Sequence, residues 1–349
     1  MKILAITFLL ILSACSSENS PENSVRQTPV VKNYMSYFTG NNVDKITFPQ
    51  GGICLMGGAT ENDQAMKWFL QRAGGGDILI LRTSGSDGYN SYLYTSLGIT
   101  VNSVETIVFK NAKANTDKYI LDKINNAEAI WFAGGDQWEY ISYWRNTPIS
   151  EAINKAIKRK VVVGGTSAGM AIQGGFYFSA QNGTITSQEA LLNPFDSKMT
   201  VSNDPFLDNA ILKDVITDTH YDNPDRKGRQ VTFLARIIND YKVQAKGIAC
   251  DEYTSICIDE KGIARVFGNY PSKEDVAYFI VPNSEIPDNK PEIFKPNNPL
   301  EWNQGQAAIN VYEIKGTSSG SNTFNLNNWK DGDGGVWKKW FVESGKLKE

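Results

Sequence analysis

The sequence predicts an α/β fold in which a mostly parallel sheet carries helices on both faces, followed by a small C-terminal β-rich appendage. Two observations carry the prediction. Short runs that are apolar throughout, such as Ile53-Cys54-Leu55-Met56, Ile78-Leu79-Ile80-Leu81 and Ala129-Ile130-Trp131-Phe132, alternate with stretches of helical periodicity, the pattern of strands buried on both sides. The run Lys160-Val161-Val162-Val163-Gly164-Gly165-Thr166-Ser167-Ala168-Gly169-Met170 passes from β-branched to small residues around one serine, as a strand turning sharply into a helix requires.

Taken in order, Met1-Lys2 and the apolar Ile3 to Leu12 read as a signal peptide over residues 1–14, too short to span a bilayer. Leu12-Ser13-Ala14-Cys15 resembles the lipobox of bacterial lipoproteins. That resemblance implies lipidation of Cys15 and a membrane-anchored protein of the cell envelope, with Ser16 pointing to the outer membrane. Residues 15–47, rich in Ser, Asn, Pro and Val and without periodicity, read as a flexible tether. Order is expected from about Gly51. A strand at Ile53 to Met56 leads to a helix over Asp63 to Ala73; strands at Asp77 to Leu81 and Val104 to Phe109 are separated by a helix at Tyr89 to Leu97. Thr116 starts the next helix, Ala129 to Phe132 forms a strand stopped by Gly134-Gly135-Asp136-Gln137, and Ser150 caps the helix that feeds the serine turn. Beyond the turn, strands are expected at Val215 to Tyr221, Lys246 to Asp251, Ser255 to Asp259, Ala264 to Phe267 and Val276 to Val281, with a helix at Arg229 to Asn239. The division is thus an α/β hydrolytic domain at 48–282 and a linker with a small module at 283–349.

A net charge of -3 provides no basic field and argues against nucleic acid as a partner. After Cys15, the cysteines Cys54, Cys250 and Cys257 show no metal-ligand spacing. Cys54 and Cys257 read as core thiols, with a Cys250–Cys257 bridge left open. The chain contains one histidine, His220, which argues against a His-based metal site, and no cofactor is expected.

Chemistry concentrates at the serine turn. Gly165-Thr166-Ser167-Ala168-Gly169 fits G-x-S-x-G, the nucleophile elbow, and makes Ser167 the candidate nucleophile. A serine needs a base that titrates near working pH, and His220 is the histidine that can supply it. The acid that orients the imidazole is not chosen by sequence chemistry: Glu189, Asp196, Asp204, Asp218 and Asp251 all remain open. The oxyanion hole is expected from the Ala168 N–H and from the Gly135 and Asp136 turn.

Gly134-Gly135-Asp136-Gln137, Gly164-Gly165-Thr166-Ser167-Ala168-Gly169, Ser187-Gln188-Glu189-Ala190-Leu191, and Asp218-Thr219-His220 with Arg226-Lys227-Gly228-Arg229, in that order, resemble the cyanophycinase group of serine peptidases, relatives of the α-aspartyl dipeptidases. The resemblance covers about Gly51 to Val281. It implies a class I glutamine-amidotransferase-like fold, a triad of Ser167, His220 and Glu189, and substrate contacts from Gln137, Asp218, Arg226 and Arg229. It further implies hydrolysis of aspartyl or β-aspartyl peptide bonds; homodimerisation is compatible with it. Thr219 stands where the family has a glutamine and Pro224 near the position of a family arginine, so short aspartyl peptides are expected to be preferred over cyanophycin itself. A catalytically silent binding lipoprotein and an esterase with the same triad are the competing readings.

Overall fold

The computed structural model describes residues 32–349, so the expected signal peptide, Cys15 and residues 15–31 of the expected tether lie outside the described residues. Within the remainder of that tether the chain forms β1 (Tyr34–Gly40), so order begins earlier than Gly51. Of its aromatic residues, Tyr34 is buried against the domain, Tyr37 is half-buried and Phe38 is exposed.

β2 (Ile53–Met56) is buried at every position and leads to α1 (Asp63–Arg72), whose cap Asn62 accepts the Gln64 and Ala65 N–H groups while Met66, Phe69 and Leu70 face the sheet. β3 (Asp77–Arg82), α2 (Gly88–Ser91) and β4 (Ser103–Phe109) follow. α3 (Lys118–Asn126) is capped by Asp117, not Thr116, and precedes β5 (Ala129–Phe132) and α4 (Gln137–Trp144). α5 (Pro148–Lys158) starts one turn before the expected cap, because Thr147 and Ser150 together close a capping box with Pro148 at the first helical position. β6 (Val162–Thr166) then breaks at Ser167 into the short α6 (Ala168–Ala171). The chain continues through β7 (Tyr177–Phe178), α7 (Ser187–Leu192), β8 (Val201–Ser202), β9 (Val215–Asp218), α8 (Lys227–Tyr241), β10 (Lys246–Cys250), β11 (Ser255–Ile258), β12 (Ile263–Tyr270) and β13 (Val276–Pro282). It closes with β14 (Ile309–Lys315), β15 (Thr323–Asn325), β16 (Gly332–Asp333), β17 (Gly335–Glu343) and β18 (Lys346–Lys348).

The larger sheet has the order β1-β4-β3-β5-β6-β2-β11-β12-β15-β16. Its centre, β4-β3-β5-β6-β2, is parallel, and antiparallel strands extend it on both sides. Side-chain alternation divides the core between its two faces. Ile53, Leu55, Leu79, Leu81, Ile130 and Phe132 pack with Ile141, Trp144 and Ile153 of α4 and α5, whereas Cys54, Met56, Ile78, Ile80 and Trp131 pack with Met66 and Phe69 of α1. Each fully buried large apolar side chain of this kind contributes about 1.5–3 kcal/mol relative to exposure.

A second sheet, β18-β17-β14-β13-β10-β9, is antiparallel except for the β9–β10 pair. The expected C-terminal β-rich part within 283–349 is present, and its strands pair directly with those of the α/β domain: β14 with β13, and β15 with β12. Residues 33–349 form one compact unit. The three cysteines in it are buried thiols; Cys257 faces Cys54 across the β2–β11 pair with sulfurs 3.6 Å apart, and the Cys250 thiol instead meets the Met170 sulfur.

Candidate active site

Parallel strands place their carboxyl ends along one rim, and ligands of such sheets bind there. Ser167 is the first residue after β6, and its backbone holds φ 53° and ψ −118°, a strained elbow that presents the side chain at the rim. The glycines of the motif make this turn feasible. A Cβ on Gly169 would fall 2.0 Å from the Phe132 carbonyl oxygen, so α6 can press against β5 only with glycine there. The Ser167 N–H donates to the Met56 carbonyl at 3.1 Å, which fixes the elbow to the end of β2.

His220 lies two residues past β9 and Glu252 two residues past β10, so these adjacent parallel strands deliver them side by side. His220 Nε2 is 2.7 Å from Ser167 Oγ, and His220 Nδ1 is 2.6 Å from Glu252 Oε1. The loops are knitted together: His220 N–H donates to Gly57 O at 2.7 Å, Gly57 N–H to Thr254 O at 3.0 Å, and Glu252 N–H to Asp222 Oδ1 at 2.9 Å. Gly58 serves the imidazole directly, since a Cβ there would lie 2.3 Å from the ring. The Glu252 carboxyl is held below the usual carboxylate range, first by the His220 hydrogen bond and, against some desolvation, by Asn223.

A cleft of about 560 Å³ opens over this array, lined by Ala59, Thr60, Glu61, Arg82, Tyr89, Tyr92, Gly134, Ser167 and His220 among others. Gly134 approaches Ser167, where an added Cβ would be 3.6 Å from Ser167 Cβ. Gly135 sits against Tyr140 and Ser84, and Asp136 caps α4 by accepting the Trp138 N–H at 2.8 Å. Ala168 directly follows Ser167 at the start of α6. The glycine of the turn that lines the cleft is thus Gly134, next to the expected Gly135.

The model of a family described as Peptidase family S51 matches residues 82–266, just over half of the chain, and that span contains Ser167, His220 and Glu252. The chain belongs to peptidase family S51. It is similar to a cyanophycinase from Geminocystis herdmanii, 24% identical over 231 residues that cover 63% of this chain and 78% of that protein. A cyanophycinase from Synechococcus elongatus is 25% identical over 230 residues, 63% of this chain and 66% of its own length. A solved peptidase from an acI-B1 Actinobacterium superposes with a TM-score of 0.48 at 15% identity, covering 64% of this chain and 89% of that one.

For this S51 peptidase, several residues expected at the site are held elsewhere. Glu189 is the third helical residue of a capping box: its Oε2 accepts the Thr186 N–H at 2.9 Å and the Thr186 hydroxyl at 3.0 Å, and its Oε1 pairs with Lys198 Nζ at 2.9 Å. The Lys198 hydrogen bond leads the causes that lower its carboxyl to about 2. The acid at His220 is therefore Glu252, which was absent from the expected set. Asp218 and Arg229 form a buried two-point ion pair, with Arg229 Nε 2.8 Å from Asp218 Oδ2, and Arg229 Nη1 also donates to Thr184 Oγ1 at 3.2 Å. This pair binds α8 to β9 and to the loop at 184–185, so its donors are spent on the scaffold. Gln137 Nε2 donates to the Phe178 carbonyl, and Arg226 Nη1 to the Thr219 carbonyl at 3.0 Å. Of the other acids left open, Asp196 accepts the Lys198 N–H and Asp204 lies 3.6 Å from Arg145.

Asp251, beside Glu252, is buried with Oδ1 lacking a hydrogen-bond partner, and burial followed by the charge of Asp222 raises its carboxyl to about 8. As pH rises from about 4 to 8, the unfolded chain releases this proton while the folded chain retains it, so the group costs stability across that window. Asp251→Asn is accordingly expected to be more stable than the parent at pH 8 by an amount on the order of a few kcal/mol and nearly equal at pH 4. Urea unfolding at both values checks this; an equal difference at the two pH values would contradict it.

Proposed function

We propose that this S51 peptidase is a serine enzyme that hydrolyses aspartyl or β-aspartyl peptide bonds through Ser167, His220 and Glu252. The observation that carries the reading is the continuous hydrogen-bonded array from Ser167 Oγ through both imidazole nitrogens to Glu252, opening on a cleft at the strand ends. Glu252 is the acceptor for Nδ1–H, which leaves the Nε2 lone pair to take the Ser167 proton as Oγ attacks the scissile carbonyl. The carboxylate also stabilises the imidazolium that forms. In this reading the Ala168 N–H and an N–H of the Gly134-Gly135 turn receive the developing oxyanion. His220 then returns the proton to the leaving amine, and water admitted to the cleft cleaves the acyl-enzyme by the same steps in reverse.

The substrate class follows from the cyanophycinase relatives, and the two departures at Thr219 and Pro224 favour short substrates. Rates should therefore be compared for α-Asp-Xaa dipeptides, β-Asp-Arg, cyanophycin and simple acyl esters. The dipeptides are expected to have the highest kcat/KM. Turnover of esters with none of the aspartyl peptides would make the protein an esterase, and the polymer as best substrate would remove the argument from Thr219 and Pro224.

The lipobox-like Leu12-Ser13-Ala14-Cys15 supports placing the enzyme on the envelope membrane through Cys15. In the native host, Cys15→Ser is expected to move the protein from the membrane pellet to the soluble fraction. Unchanged sedimentation with the membrane would dismiss the anchor.

A further inference from the structure

We propose that Arg82 and Glu61 determine the specificity of this cleft, Arg82 holding a carboxylate and Glu61 the free α-ammonium of the same short acidic peptide. The inference rests on the peptidase reading of the site. Arg82 is the last residue of β3, which lies beyond β5 on one side of the elbow strand β6, and Glu61 lies in the loop between β2, on the other side of β6, and α1. The two charges thus reach the cleft that holds Ser167 from opposite sides of the elbow strand.

The guanidinium is short of partners. Its Nη1 donates to Ser86 O at 3.1 Å, but its buried Nε has no hydrogen-bond partner, and no carboxylate pairs with it among the described residues. Leaving a buried donor unmade costs about 1–3 kcal/mol, more for a charged group, and a carboxylate accepts from the guanidinium fork at two points. By contrast Arg229, the arginine expected to read substrate charge, is already closed by Asp218.

Tyr89 contacts both charged groups. Its hydroxyl donates to Glu61 Oε1, while the Arg82 guanidinium carbon lies 5.9 Å from the centre of its ring. Burial and then the Glu61 charge raise the phenol above its ordinary range, so it remains a protonated donor. A cation and an acid held apart on one ring fit a dipolar ligand better than a simple anion. An amino-terminal aspartyl residue carries one group for each.

The test uses Ser167→Ala protein, which holds substrates without turnover. Calorimetric Kd values are measured for an α-Asp-Xaa dipeptide, its Asn isostere and its N-acetylated form. The aspartyl peptide is expected to bind at least tenfold tighter than either. Adding Arg82→Gln should abolish the Asp/Asn preference and leave the acetylation effect, Glu61→Gln should do the converse, and Arg82→Lys should keep part of the Asp preference. An Asp/Asn ratio unchanged in Arg82→Gln, an acetylation effect unchanged in Glu61→Gln, or no binding by the folded Ser167→Ala protein would overturn the proposal. Labelling of the wild type by a fluorophosphonate separates the two readings. Labelling without Arg82-dependent binding defeats this proposal alone, whereas Arg82-dependent binding to a protein that neither labels nor hydrolyses defeats the catalytic reading alone.

Discussion

Ser167→Ala and His220→Ala are each expected to lower kcat on an aspartyl dipeptide by about 10⁴- to 10⁶-fold, and the double variant to be scarcely worse than either. The non-additivity follows from the geometry. Ser167 Oγ and His220 Nε2 lie 2.7 Å apart, so in the proposed mechanism they act as one proton-transfer unit, and removing either partner leaves the other with no proton to exchange. What survives is the contribution of the oxyanion donors and of substrate positioning, which accounts for the residual rate over water. The fold should be indifferent to Ser167→Ala, because the elbow is held by the Ser167 backbone N–H on Met56 and by the small neighbours of the motif. Steady-state kinetics with thermal unfolding as a control decide the matter. Full activity of the serine variant, or multiplicative losses in the double variant, would mean that these two residues do not act together.

The parallel centre of the sheet was legible because its strands are short, apolar throughout and separated by capped helices, all of which are local properties of the chain. The antiparallel flanks were not. β15 joins β12 from more than fifty residues away, and β14 joins β13 across a long polar segment, so nothing near either strand announces its partner. β1 was hidden because half of its residues face solvent and it lies in a polar stretch, with its pairing partner β4 far along the chain.

At the site, Ser167 and His220 were visible as an elbow and as the one histidine in the sequence. Glu252 was invisible because its place depends on the pairing of β9 with β10, although Gly57-Gly58, which makes room for the imidazole, was a signal in the sequence that a bulky group approaches that turn. The fate of Glu189 was also written locally. Thr186-Ser187-Gln188-Glu189 fits the capping-box spacing, in which the glutamate reaches back to the helix start rather than outward to a ligand. Asp218 and Arg229 could be read as substrate contacts only because their mutual contact, eleven residues apart in sequence, joins a strand to a helix.

Glu252→Gln is expected to reduce kcat by about 10⁴-fold, while Glu189→Gln changes it by less than about threefold. The amide leaves the size of the side chain intact but presents both a donor and an acceptor to the imidazole, so the ring can settle in the tautomer whose Nε2 carries the proton and cannot accept one from Ser167. It also withdraws the negative charge that stabilises the imidazolium. Glu189 neither orients nor stabilises the ring, since its oxygens serve Thr186 and Lys198 on the surface, and its loss should appear as a small decrease in the stability of α7. Glu252→Asp should retain more activity than Glu252→Gln, because the charge persists although the reach to Nδ1 shortens by one methylene. The measurement is kcat for the three variants at saturating dipeptide, beside urea midpoints. A silent Glu189→Gln beside a crippled Glu252→Gln assigns the acid to the end of β10; the reverse order would return it to α7 and require the loop carrying Glu189 to move onto His220 when substrate binds.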